Sequence, residues 1–361
     1  GYWYWKRGIK QQDLSQLITA IDEMNGKIAL ETDLAVRTLV QQIGQLNEAE
    51  NIVISYVRER LLEKIEKEKV WFCSIPWLMA FTDEEGNYAQ CNFGENKQLA
   101  HGEGGLKTKR GNTLHDTSIK EWMTGHVMEK IRSEMVDESS DFKYVNHHCK
   151  KCIKDEANIG RSRRMIANEI YQEENKTNQT LWPFIIDAAA RTAKGEKYRF
   201  EARILEIQVK SFGIECNLDC QMCHHMSSSI RTKMAFDNGV WNDVVWGDKE
   251  EARKKSEVAM WPKPVGKINK QILDLAPYIY NLKIIGGEPL VMKKHYELLQ
   301  QIIDIGEAKN MQLKYQTNAT TLAAGKHNVL KYIPHFKSVL VVVSLDSVGK
   351  SNDYIRRRSD Y

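Results

Sequence analysis

Cys216, Cys220 and Cys223 stand in the run Cys-Asn-Leu-Asp-Cys-Gln-Met-Cys, a C-x3-C-x2-C spacing. Three thiols this close on one loop are soft ligands gathered for a metal centre rather than ordinary core cysteines. They leave a four-coordinate ion one ligand short. A structural zinc closes with four ligands, so His224 or His225 would have to complete it. A cubane iron–sulfur cluster is held by cysteines at short loop spacings. With three thiolates, one iron of such a cluster stays open to a substrate or cofactor.

A second set of cysteines lies upstream. Cys73-Ser-Ile-Pro76-Trp77 leads into the apolar stretch 78–81, a turn at 83–87 and a second strand ending at Cys91. This reads as a hairpin with one cysteine beside each strand. His147-His148-Cys149-Lys-Lys-Cys152 then adds a C-x2-C pair. Cys73, Cys91, Cys149 and Cys152 could close a tetrahedral site, and the donor set suits zinc and a [4Fe–4S] cluster equally. Three cysteines in one loop and four here account for all seven in the chain.

The chain has 361 residues, room for two or three domains. Its 52 basic and 48 acidic residues leave a net charge of +4, too small to imply nucleic acid or an anionic membrane. No segment has the length and apolarity of a membrane span, and no apolar leader opens the chain. An odd cysteine count without such a leader points to a reducing cytoplasm and to metal or catalysis rather than disulfides.

The elements that must position the cysteines follow from periodicity. Residues 1–70 read as a helical segment, with 52–69 as one long amphipathic helix. Residues 71–170 read as a small α+β cysteine-rich domain containing a glycine-rich basic loop at 102–111. Residues 171–200 are polar, with a short helix expected near 184–193, and read as a linker. From 201 the pattern is β/α. Strands are expected at 204–210, 282–285, 313–316 and 338–343, with helices around 228–236, 268–279, 296–306 and 329–333. An insertion at 237–266 carries Trp241, Trp246 and Trp261. Alternating strands and helices imply a parallel sheet. Each strand ends in a chemical motif: the cysteine loop, then Gly286-Gly287-Glu288-Pro289, then Thr317-Asn318, then Ser344-Leu345-Asp346. In parallel α/β folds, chemistry sits on the loops after the strands' C-terminal ends.

The cysteine spacing, the apolar strand before it (205–209) and Gly286-Gly287-Glu288-Pro289 together resemble the radical S-adenosylmethionine superfamily. The resemblance implies a [4Fe–4S] cluster on Cys216, Cys220 and Cys223 with S-adenosylmethionine chelating the open iron. It also implies a cofactor site made from Gly286, Gly287, Glu288, Pro289, Asn318, Ser344 and Asp346. The residue before the last cysteine, usually aromatic in that family, is Met222 here. Residues 71–170 are similar to the SPASM/twitch accessory domains, through Cys-x-x-Pro-Trp, the hairpin, C-x2-C, Glu156 and Gly160-x-Ser162-x-Arg164. That similarity implies a second cluster and favours a peptide or protein substrate.

The expected fold is therefore a partial (β/α) barrel of the radical S-adenosylmethionine type with about four β/α units. Its terminal run, 354–361, reads as the start of a further helix of an incomplete barrel. The expected activity is reductive cleavage of S-adenosylmethionine to a 5′-deoxyadenosyl radical that abstracts hydrogen from a substrate. Electrons would come from a flavodoxin or ferredoxin. The competing reading is a zinc-stabilised binding or scaffold protein, touching nucleic acid through Lys150, Lys151, Lys154, Arg161, Arg163 and Arg164.

Overall fold

The computed structural model describes residues 48–66, 71–83, 86–92, 114, 117–178, 181–200, 204–210, 212–224, 227–237, 248–260 and 265–360. The helices expected within 1–47, the loop at 102–111, His225, Trp241, Trp246 and Trp261 lie outside the described residues.

Helices in chain order are α1 (Glu48–Glu66), α2 (Ile75–Leu78), α3 (Ile119–Met123), α4 (His126–Val136), α5 (Lys143–His148), α6 (Lys150–Ile159), α7 (Arg163–Asn178), α8 (Leu181–Ala193), α9 (Ser229–Asp237), α10 (Lys249–Met260), α11 (Val265–Asp274), α12 (Lys293–Asp304) and α13 (Lys350–Ile355). Strands are β1 (Met79–Thr82), β2 (Tyr88–Ala89), β3 (Leu205–Val209), β4 (Asp219–Cys220), β5 (Ile279–Ile284), β6 (Gln312–Thr317), β7 (Ala323–Ala324), β8 (His327–Asn328), β9 (Ser338–Val343) and β10 (Arg356–Arg357).

The molecule is mixed α/β around a mostly parallel sheet of order β2-β1-β3-β5-β6-β9. β3, β5, β6 and β9 are the four strands expected from periodicity, paired in parallel. The expected hairpin is also present, with Phe81 opposite Ala89. Its placement was not legible locally. β1 runs parallel to β3, Ala80 beside Ile207, so the upstream cysteine segment and the β/α segment share one sheet.

Residues 171–200 are not a linker. They hold the end of α7 and all of α8, whose Trp182, Ile185, Ile186 and Ala189 are buried. α8 packs on α1 and α4, and Asp187 accepts from Arg58 of α1 at 3.2 Å. Its apolar face outweighs the polar flanks that suggested a connector.

Alternation along the strands makes the sheet two-faced. Leu205, Ile207, Leu282, Ile284, Leu313 and Tyr315 are buried on one side. α12 covers that side, where His295 meets the Tyr315 hydroxyl at 3.0 Å. The opposite side carries Glu206, Gln208, Asn281, Lys283, Gln312 and Lys314 in lateral register. Parallel strands are usually apolar on both faces, so this polar face is a departure. Among the described residues no helix is long and apolar enough to cross a membrane.

Candidate functional site

The loop 213–223 leaves the C-terminal end of β3 carrying three thiols. Cys220 is buried, while Cys216 and Cys223 are half-buried. The loop is held from four directions. The backbone N–H of Gly287 donates to Gly213 at 3.4 Å and that of Glu288 to Glu215 at 2.7 Å. Ser229 donates its backbone N–H to Ile214 at 2.7 Å, and its hydroxyl accepts from the Cys216 N–H at 3.2 Å. Asn217 accepts from Asn318 at 2.9 Å and donates to the Thr320 hydroxyl at 2.6 Å. Finally, β10 pairs antiparallel with β4, Arg356 opposite Cys220.

The two glycines owe their identity to this loop. A Cβ on Gly287 would collide with the carbonyls of Ile214 and Glu215, and one on Gly286 would lie 2.6 Å from the Gly213 carbonyl oxygen. Glycines permit close approach of backbone, and the backbone approached here is the cysteine loop's own. Glu288, expected in the cofactor site, is 1% exposed. Its carboxylate accepts from the Thr317 hydroxyl at 2.5 Å, the Asn318 N–H at 2.6 Å and the Leu290 N–H at 3.0 Å. Burial pushes its pKa up, against those three donors. Glu288 therefore binds the ends of β5 and β6 together. Pro289 is buried at the start of the short 3-10 turn that follows.

Of the other expected cofactor residues, Asn318 bridges to the loop as described, and its side-chain oxygen accepts from Thr320. Ser344 donates its backbone N–H to Thr317 at 2.8 Å. The Asp346 carboxylate is 2.6 Å from Arg356. Ser228 accepts from the Arg231 N–H at the start of α9 and so caps that helix.

Cations cluster around the thiols. Arg356 Nη1 lies 3.8 Å from the Cys220 sulfur. Arg231 and Arg357 both approach Asp219, at 3.4 and 3.7 Å. Cys223 accepts from the Cys220 thiol and is pulled down to about 7, with Arg356 and Arg231 adding to the effect of that hydrogen bond. The same hydrogen bond, then burial, pushes Cys220 up. Burial also pushes Cys216 up. The N–H of Leu218 points to the Cys216 sulfur at 3.4 Å. Thiolate-directed donors of this kind suit sulfurs that carry negative charge toward a metal. The run 354–361 does not start a further helix. α13 ends at Ile355 and the chain turns into β10.

The upstream cysteines also converge. Cys73 precedes α2, Cys91 follows β2, Cys149 sits between α5 and α6, and Cys152 lies in the first turn of α6. All four are buried and none forms a disulfide. They line one pocket with Trp71, Gln90, Met135, Arg163 and Arg164. Burial, reinforced by the neighbouring cysteines, pushes Cys73 and Cys149 far up. Four thiols in an apolar pocket need either their protons or a metal's positive charge. Among the described residues, no group of His, Cys, Asp and Glu forms a ready cage for a single metal ion.

The walls of this pocket explain the Gly-x-Ser-x-Arg run. Glu156 accepts two bonds from Arg164 at 2.8 Å each, one from Ser162 at 2.5 Å and one from Trp71 at 2.9 Å. Arg164 also donates to the Phe72 carbonyl at 3.0 Å. Asn168 of α7 donates to that carbonyl and accepts from the Ser74 N–H. The segment bearing Cys73 is thus clamped to the helix bearing Cys152. Gln90 donates to the His148 carbonyl and lies 3.8 Å from the Cys149 sulfur. His148 is buried beside Cys149, and burial holds it down to about 4. Sequence reasoning passed over Gln90, Asn168, Asn217 and Arg356. Their partners are distant in the chain, and no spacing rule marks them.

Comparison of the chain with family models, with curated proteins and with solved structures returns no match.

Proposed function

We propose that the chain is a radical S-adenosylmethionine enzyme with an auxiliary iron–sulfur site. The observation that carries this reading is the tethering of the three-cysteine loop. Stretches that follow two other parallel strands, Gly286–Glu288 after β5 and Asn318–Thr320 after β6, are bonded directly to it. Three chemical motifs on three strand ends meet at one place, where parallel α/β folds build their sites.

The residues present fit the group. Cys216, Cys220 and Cys223 would hold three irons of a [4Fe–4S] cluster, with thiolate charge supported by Arg356 and the Leu218 N–H. The chemistry supplied by such a centre is one-electron reductive cleavage of S-adenosylmethionine, giving a 5′-deoxyadenosyl radical that takes a hydrogen atom from substrate. The chain's own share is positional. Glu288 fixes the spacing of the β5 and β6 exits, Asn217 and Asn318 fix the loop above them, and Asp346 orients Arg356. Cys73, Cys91, Cys149 and Cys152 would hold the second centre. The four thiols line one pocket, and the likeness of this segment to the SPASM/twitch domains is what favours a cluster over zinc.

The test is metal content after anaerobic reconstitution, in the full chain and in the C216A/C220A/C223A variant. About eight irons per chain falling to about four is expected for two cubane clusters. Four irons falling to none, with one zinc retained, would keep the enzyme and make the upstream site structural. Zinc alone in both proteins would overturn the proposal and leave a zinc-stabilised binding module. Production of methionine and 5′-deoxyadenosine under a flavodoxin or chemical reductant then tests the reaction itself.

A further inference from the structure

The polar side of the sheet has no role in the folding argument. Glu206 and Asn281 lie side by side in one lateral row, and the Asn281 amide donates to Glu206 at 2.8 Å. One row nearer the strands' C-terminal ends come Gln208, Lys283 and Lys314 in direct register. Leu340 of β9 continues that row and is exposed, so the row is open on the β9 side. On the β3 side α7 approaches it, with the Tyr171 hydroxyl 3.5 Å from Glu206.

Two observations mark this face as a ligand surface. The first is charge. The groups acting on Lys283 are Glu206, Arg163, Lys314 and Lys210, four cations gathered with one carboxylate. Burial pulls the Lys283 ammonium down, Glu206 opposes this, and the other three cations add to it. Lysines placed side by side on a sheet repel unless an anion lies between them. The second is unsatisfied hydrogen bonding. Gln208 is 4% exposed and Asn281 0%, yet the side-chain carbonyl oxygen of each has no hydrogen-bond partner. Buried amide oxygens ask for N–H donors.

The geometry points to recognition, by Lys283 and Lys314 with Gln208 and Asn281, of a carboxylate standing next to an N–H group. That is the chemistry of an acidic amino acid, free or within a peptide. Arg163, which lines the upstream cysteine pocket, also acts on Lys283. Calling this ligand the substrate rests on the radical reading above. The binding does not.

The experiment measures binding of fluorescein-labelled hexaglutamate by anisotropy, with free glutamate as competitor and labelled hexalysine as control. It uses the reconstituted full chain without S-adenosylmethionine. Hexaglutamate is expected to bind and hexalysine not. The K283Q/K314Q variant should bind at least about tenfold more weakly, whereas K309Q/K331Q, with the same charge change at two exposed lysines, should bind as the unaltered chain does. Displacement by free glutamate would identify a single amino acid as the ligand, and its failure would identify a peptide. No binding, equal binding of hexalysine, or equal weakening in both double variants would overturn the assignment. Retained binding in C216A/C220A/C223A, with no S-adenosylmethionine cleavage by the full chain, would remove only the radical reading. Cleavage without hexaglutamate binding would remove only this one.

Discussion

Among the described glycines, Gly287 has the least room for a side chain. Its missing side chain lets the Ile214 and Glu215 carbonyls approach the backbone after β5. Gly287→Ala must push the cysteine loop away, so a loss of about 1–3 kcal/mol is expected, as for overpacking in a tight interior. Thermal unfolding would read that loss, and on the proposed cluster reading the iron retained by Cys216, Cys220 and Cys223 should fall with it. His295 makes a pH prediction. It is fully buried between the Met292 carbonyl and the Tyr315 hydroxyl, and burial holds it down to about 3 from the ordinary 6.5. The folded chain keeps it neutral while the unfolded chain protonates it below about 6.5, so stability is present above that pH and lost as pH falls. Between pH 6.5 and 4.5 the loss from this group is about 2–3 kcal/mol. In His295→Gln that part of the acid sensitivity should vanish from denaturant titrations at the two pH values. At this scale the cysteines were legible, because ligand spacing is local. The role of Glu288 was not, because two of its three donors come from the distant end of β6.

Among elements, the two-residue strand β10 has the largest consequence for its size. It returns across 136 positions of sequence to place Arg356 against Cys220. Gln221 also donates to the Tyr354 and Ile355 carbonyls, both at 2.8 Å. Outer partners of metal ligands commonly alter affinity by about 10–100-fold. Arg356→Ala is therefore expected to release iron from the three-cysteine site to a chelator at least about tenfold faster, with the upstream site unchanged. Equal release from both sites would count against a local role. Nothing in the run Arg-Arg-Arg announces a strand, and its reading as the start of a helix failed because the deciding partner is non-local. The long periodic elements fared better. β3, β5, β6 and α12 were visible from apolar and helical spacing, since each buries an apolar row, and β9 from its run of apolar residues, although only Val339 of it is buried. α8 was expected as a short helix at 184–193, but its place in the core was missed because its neighbours in sequence are polar while its own face is not.

For the molecule as a whole, the shared sheet removes the boundary that composition suggested at about residue 200. β1 belongs to the upstream cysteine segment and covers the edge of β3. A fragment beginning at 201 would leave that edge bare, and bare parallel edges recruit other chains. Size-exclusion chromatography should find the 201–361 fragment aggregated under conditions where the full chain is not. The full chain should also melt in one cooperative transition, with Cys73→Ser lowering the midpoint for both cysteine sites together. Two independent transitions would show that the sheet contact does not couple them.

The β1–β3 pairing also sets a clock on synthesis. Roughly 120 residues separate the end of β1 from the start of β3. At about 5–20 residues per second the ribosome needs on the order of 6–25 s to deliver the partner strand. For that interval Met79-Ala80-Phe81-Thr82, wholly buried in the finished molecule, has only the short strand β2 beside it. A metal centre assembled early on Cys73, Cys91, Cys149 and Cys152 would hold the hairpin in shape while it waits. On the proposed cluster reading, cells starved of iron would then accumulate the nascent chain in its most adhesive form.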